Sequence, residues 1–130
     1  MPSYDALSRI DRWVTLVLLF IAMEIRYYSP RDGREPFEEW FNKLDRAARA
    51  KVTIAIARLG QGNLSNVKGV GEGVLEYRIN FGPGYRVYFG RDGATLVILL
   101  TGGTKKRQQR DIASAIGMWL DYRQRKRGMG

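Results

Sequence analysis

Cysteine and histidine are both absent from the 130 residues, and acidic side chains number only 13 against 22 Lys and Arg. Without Cys there is no disulfide, no thiolate nucleophile and no Cys-based zinc or iron–sulfur site. Without His, imidazole acid–base catalysis, His-containing triads and His-bound metals are excluded. Any catalysis must therefore use Lys, Arg, Tyr, Asp, Glu, Ser, Thr or backbone groups. No metal and no cofactor is expected. A membrane-crossing run is also missing: the uncharged stretch from Trp13 to Met23 is eleven residues, where a spanning helix needs about 18 or more. What remains is a chain of single-domain length with an ordinary hydrophobic share of 45% and a formal charge of +9. Such a chain suits a polyanionic partner: nucleic acid, an acidic protein or a membrane surface.

The apolar run near the N-terminus is preceded by Arg9 and Arg12, as in a signal peptide. However, Glu24-Ile25-Arg26 follows directly and no small-x-small cleavage site is present. The most economical reading makes residues 1–22 an N-terminal extension that precedes the true start at Met23. An added amphipathic helix and an export signal are the alternatives. Arg9 and Arg12 balance Asp5 and Asp11, so the charge of the remainder is unchanged.

From Met23 the pattern reads β-α-α-β-β-β-α. Residues Met23 to Tyr28 form a short strand with Ile25 and Tyr27 on one face. Ser29-Pro30-Arg31-Asp32-Gly33 is a turn. Pro36 suits a helix N1 position, and Phe37, Trp40, Phe41 and Leu44 make an apolar stripe behind it. Asp45 is a candidate N-cap for a second helix, with Ala48, Val52, Ala55, Ile56 and Leu59 inward. Gly69-Val70-Gly71-Glu72-Gly73 lacks the Lys-Ser/Thr and the strand–loop–helix setting of a phosphate loop, and reads as a flexible connector.

Two alternating strands follow around Phe81-Gly82-Pro83-Gly84, then Asp92-Gly93 as a two-residue type I′ turn. An apolar central strand from Ala94 ends at Gly102-Gly103. A last helix turns Ile112, Ile116, Trp119 and Leu120 to the core, and Tyr122 to Gly130 is a basic end expected to fray. Tyr27, Phe37, Trp40 and Trp119 are expected in the core. The fold class is α+β, a small antiparallel sheet with an N-terminal helical hairpin and a C-terminal helix against one face.

Burial parity then sets a register. The inward sets Leu75/Tyr77/Ile79 and Tyr85/Val87/Phe89 must meet, which puts Arg78 opposite Arg86 or Tyr88 across an odd-length loop. Glu76, Arg78, Arg86 and Tyr88 then share the outer face, with Lys105 and Lys106 beside them. This gives an open basic surface without apolar cover. A solvated face is the plain alternative.

Glu76-Tyr77-Arg78-Ile79, Gly82-Pro83-Gly84-Tyr85-Arg86-Val87-Tyr88-Phe89 and the run from Gly102 to Ile112 resemble the RelE/ParE toxin superfamily. The resemblance is to its phage-derived addiction module killer branch and covers about residues 23–125, leaving 126–130 as a basic tail. Thr104 departs from that pattern, which has an acidic residue there.

The resemblance implies a cytoplasmic toxin of a type II toxin–antitoxin pair, cleaving messenger RNA on the ribosome. Its partners would be an antitoxin of helix-turn-helix type, mRNA and the ribosome, with no membrane. Cleavage by the RNA's own 2′-hydroxyl needs a base, charge stabilisation at phosphorus and an acid for the leaving oxygen. The implied catalytic residues are Arg78 and Arg86 for phosphate charge, Lys105 or Lys106 for proton transfer, and Tyr88 to stack on a base or position the phosphate. Lys68, Glu76, Arg107 and Arg110 complete the implied RNA-binding surface, Glu76 as the weakest member, orienting Arg78. A ParE-like gyrase inhibitor and a non-toxic RNA- or antitoxin-binding module are the other two readings.

Overall fold

The computed structural model describes residues 22–129. All but the last residue of the proposed extension 1–22, and with it most of the apolar run, lie outside the described residues. The elements are β1 (Glu24–Tyr27), α1 (Pro36–Asn42), α2 (Arg46–Gly60), β2 (Val67–Gly71), β3 (Val74–Ile79), β4 (Tyr85–Asp92), β5 (Leu96–Thr104), a 3-10 turn (Lys105–Arg107) and α3 (Gln108–Met129). Pro36 opens α1, where its missing N–H is harmless, and Glu38 and Glu39 in the first turn suit the positive end of the helix. Asp45 caps α2, its carboxylate accepting the Ala48 N–H at 2.8 Å. Ala48, Val52, Ala55 and Leu59 are buried.

The five strands form one sheet in the order β1-β5-β4-β3-β2. The β3–β4 register is one that burial parity allows: Leu75 faces Phe89, Tyr77 faces Val87, Ile79 faces Tyr85, and Arg78 faces Arg86 rather than Tyr88. One face packs on α1 and α2 through Phe37, Val52, Leu59, Tyr77, Val87 and Leu99. The other packs on α3 through Val74, Tyr88, Ile98, Leu100, Ala115 and Trp119. The helices therefore cover both faces rather than one.

Several details differ from the sequence reading. The glycine-rich stretch is not a connector: Val67–Gly71 is a fifth strand, paired with β3. The turn after it uses positive φ at Gly71 (+118°), Glu72 (+55°) and Gly73 (+86°). At Gly73 a Cβ would also lie 2.9 Å from Trp119 Nε1, so the glycine admits the indole. β1 pairs with β5 in parallel, so the sheet is mixed rather than wholly antiparallel. Asp92 pairs with Leu96, which makes the next hairpin loop three residues (93–95) instead of two. β5 continues through Gly102 and Gly103, which pair with Val87 and Arg86, and both are glycine because Trp40 and Asp111 occupy the spaces where their Cβ atoms would stand. Tyr27 is 49% exposed and Leu120 41% exposed, although Tyr27 still stacks on Phe37.

The basic end is ordered helix as far as Met129. Asp92 accepts hydrogen bonds from Tyr122 Oη and Lys126 Nζ, and Tyr28 Oη donates to Asp121 at 2.6 Å. Among the described residues no helix is long and apolar enough to cross a membrane.

Candidate functional site

The site is built on two cross-strand rows. Lys68, Glu76, Tyr88 and Thr101 are successive partners across β2, β3, β4 and β5, and Arg78, Arg86 and Gly103 form the next row. Directly paired residues share a face, here the one covered by α3. A bulge between Tyr88 and Phe89 sets β5 out of step and re-aims Gly103 at the start of α3.

Glu76 lies at the centre and is fully buried. Its carboxylate accepts from Arg78 Nε at 2.9 Å and from Gln108 Nε2 at 2.9 Å. Burial pushes its pKa up, but the hydrogen bonds from Arg78 and Gln108 and the Arg78 charge outweigh burial and hold the carboxyl below its ordinary value. Arg78 keeps 42% of its side chain exposed, so Glu76 grips one edge of the guanidinium and leaves the rest to solvent. Tyr88 is fully buried, and its hydroxyl has no well-formed hydrogen bond among the described residues. Burial first, then the Glu76 charge, raise the Tyr88 pKa.

Arg86 is only 7% exposed. Its Nη1 donates to the Gly84 carbonyl at 3.0 Å, and the same carbonyl accepts the Lys105 N–H at 2.8 Å. Gly84 thus ties the second arginine to the first lysine of the 3-10 turn. Its φ of +79° and the closeness of Arg86 Nη1, 3.0 Å from where a Cβ would stand, both call for glycine. Arg86 Nε, Tyr88 Oη and Asp111 Oδ2 are buried without hydrogen-bond partners among the described residues. Burial raises the Asp111 pKa, against the pull of Arg107 and Arg110. Buried polar atoms are normally satisfied, so three unsatisfied ones beside one arginine pair set this place apart.

The expected site is thus partly an interior one. Glu76, Tyr88 and Arg86 are inside, because the first turn of α3 brings Gln108 and Asp111 down onto the sheet; the expected open face without apolar cover is absent. Tyr88 cannot stack on a base from this position. Arg78 is half-exposed, and Lys68, Lys105, Lys106, Arg107 and Arg110 are exposed around the rim. Lys105, Lys106, Arg107 and Arg110, with Gln108 and Gln109, line a depression of about 360 Å³. Gln108 and Asp111 lie in the run from Gly102 to Ile112 that carries the resemblance, but the sequence reading gave them no role in the site. Their signal is the i, i+3 polar spacing that opens the last helix, the spacing that sets two side chains on one face.

An uncharacterized protein of Haemophilus influenzae is 45% identical over 80 residues, covering 61% of this chain and 81% of that protein. The family model for "Phage derived protein Gp49-like (DUF891)" matches residues 39–115, a stretch that contains α2, the whole β2–β5 meander, the 3-10 turn and the first turns of α3. Arg78, Arg86, Glu76, Gln108 and Asp111 all fall within it, and the chain belongs to this phage-derived Gp49-like family of toxin-like addiction-module proteins.

Proposed function

We propose that this protein is the toxin of a type II toxin–antitoxin pair and that it cleaves messenger RNA on the ribosome in the manner of RelE-like endoribonucleases. One observation carries the reading: Arg78 and Arg86 stand directly opposite each other across β3–β4. Like charges in that relation destabilise a sheet. Here each is held by its own anchor, Arg78 by the Glu76 carboxylate and Arg86 by the Gly84 carbonyl. Two anchored arginines at paired strand positions suit a phosphate between them, whose charge relieves their repulsion.

In the proposed reaction the RNA 2′-hydroxyl attacks the adjacent phosphorus and the bond to the 5′-oxygen breaks. The products are a 2′,3′-cyclic phosphate and a 5′-hydroxyl. Arg78 and Arg86 stabilise the extra charge on phosphorus. Lys105 or Lys106, on the turn that Gly84 ties to Arg86, moves the protons from the 2′-oxygen and to the 5′-oxygen. Glu76, itself held by Gln108, fixes Arg78, and Tyr88 stands beside that carboxylate as its partner across β3–β4. Lys68, Arg107 and Arg110 hold flanking phosphates. The chemistry needs no metal or cofactor. The family implies an antitoxin partner in general; we assign it to a helix-turn-helix protein.

Induced expression in bacteria tests this. Growth should stop with fragmented mRNA and unbroken chromosomal DNA, and the adjacent antitoxin gene should restore growth. DNA breaks with intact mRNA would identify a gyrase inhibitor of the ParE kind. Unimpaired growth would leave a binding module.

A further inference from the structure

Helix α2 carries Arg46, Arg49, Lys51 and Arg58 and no acidic residue. Lys51, Ile54, Ala55 and Arg58 fall at i, i+3, i+4 and i+7, one stripe along the helix flank. That stripe walls a cleft of about 270 Å³ whose other side is Asn66 and β3 with its continuation, from Tyr77 to Phe81. The Lys51 ammonium sits 5.3 Å from the centroid of the Phe81 ring. Ile54 is 49% exposed at the mouth. Neither Lys51 nor Arg58 has an acidic partner among the described residues. Arg78 lines the same cleft, and its backbone N–H donates to the Asn66 carbonyl at 3.1 Å. Arg78 is therefore shared between the anchored arginine pair and the lining of this cleft.

We infer that the cleft between α2 and the end of β3 binds the single-stranded RNA segment flanking the cleaved phosphate, with Lys51 and Arg58 on its phosphates and Ile54 and Phe81 against a base. The inference rests on the ribonuclease reading and extends it to a second stretch of the substrate. Cations set around an aromatic and an apolar surface are the arrangement that holds single strands without reading their sequence. An acidic protein segment would need the cations but would have no use for the aromatic ring beside them.

The test uses a fluorescent single-stranded RNA and the full chain, with affinity measured by anisotropy against salt concentration. Each phosphate contact on a single strand contributes about 0.7 to the slope of log affinity against log salt. Lys51→Ala with Arg58→Ala should flatten the slope by about 1.4. Arg46→Ala with Arg49→Ala removes the same charge from α2 outside the cleft and should change the slope far less. All four positions are exposed and helical, so alanine preserves the fold. Equal flattening by the two double variants would overturn the inference. So would an unchanged slope for the cleft variant while the wild type still cleaves RNA, and the ribonuclease reading would stand in that case. Loss of antitoxin binding with RNA binding intact would assign the cleft to a protein instead. A wild type that neither binds nor cleaves RNA would remove the ribonuclease reading itself, and this inference with it.

Discussion

Glu76 is the most informative residue to change, because its carboxylate is sealed in the sheet and holds two partners. Glu76→Ala removes the acceptor for Arg78 and Gln108. Arg78 is 42% exposed and recovers water, so its share falls in the surface range of about 0.2–1 kcal/mol. Gln108, part-buried, cannot recover as fully, and an unsatisfied group costs about 1–3 kcal/mol. Together with the void, the expected loss is about 3 kcal/mol. Glu76→Gln keeps the volume and can still accept from Arg78, while the Gln108 amide turns to accept from the new NH2; the expected loss is about 1 kcal/mol.

The two proteins should also differ in pH dependence. The folded-state pKa of Glu76 lies below its ordinary value. Its stabilising contribution is therefore complete above the unfolded value of about 4.3 and is lost as pH falls through the folded value. Urea melts of wild type and Glu76→Gln across the acid range measure this. The gap in stability should be widest near neutrality and should close in acid. A gap that stays constant or widens as pH falls would refute the reasoning, because Glu76 would not then be held as a carboxylate.

Other outcomes follow from the packing and the site. Arg86→Lys keeps the charge and stem of a buried side chain but loses the planar fork; RNA-cleavage rate should drop about 10²-fold with a melting temperature close to wild type. Gly90→Ala and Gly102→Ala drive a methyl into the rings of Trp119 and Trp40 respectively. Each should lose about 1–3 kcal/mol or more in urea melts, as overpacked cores do. Asp92→Ala frees Tyr122 and Lys126. Hydrogen exchange should quicken over residues 122–129 while global stability falls by about 1 kcal/mol or less.

The parts of the fold legible in the sequence were those with a clean local period. Burying Leu75/Tyr77/Ile79 against Tyr85/Val87/Phe89 left Arg78 opposite either Arg86 or Tyr88, and the structure takes the first. Asp45 capping α2 was legible for the same reason, a local oxygen-to-N–H contact. β2 was hidden because Gly69 and Gly71 erase its alternation. The parallel β1–β5 pairing joins segments about seventy residues apart, beyond any local pattern. Glu76, Arg78, Arg86 and Tyr88 do come together on one sheet face, as parity expects, but Glu76, Arg86 and Tyr88 are buried there rather than open. A Glu and an Arg at outward strand positions look solvated until a helix carrying Gln108 and Asp111 is laid over them. Tyr27 points the other way: its parity said core, but it stands at the end of edge strand β1 and half of it meets solvent.

Cleavage of a reporter mRNA by the purified protein in a translating extract, read at the RNA ends, tests the arginine-pair site most directly. Wild type should yield fragments ending in 2′,3′-cyclic phosphate and beginning with 5′-hydroxyl. Arg78→Ala, at a half-exposed position, should yield almost none with only a modest fall in melting temperature, because Gln108 still donates to the buried Glu76 carboxylate. Equal cleavage by wild type and Arg78→Ala, or intact mRNA with both, would contradict the assignment.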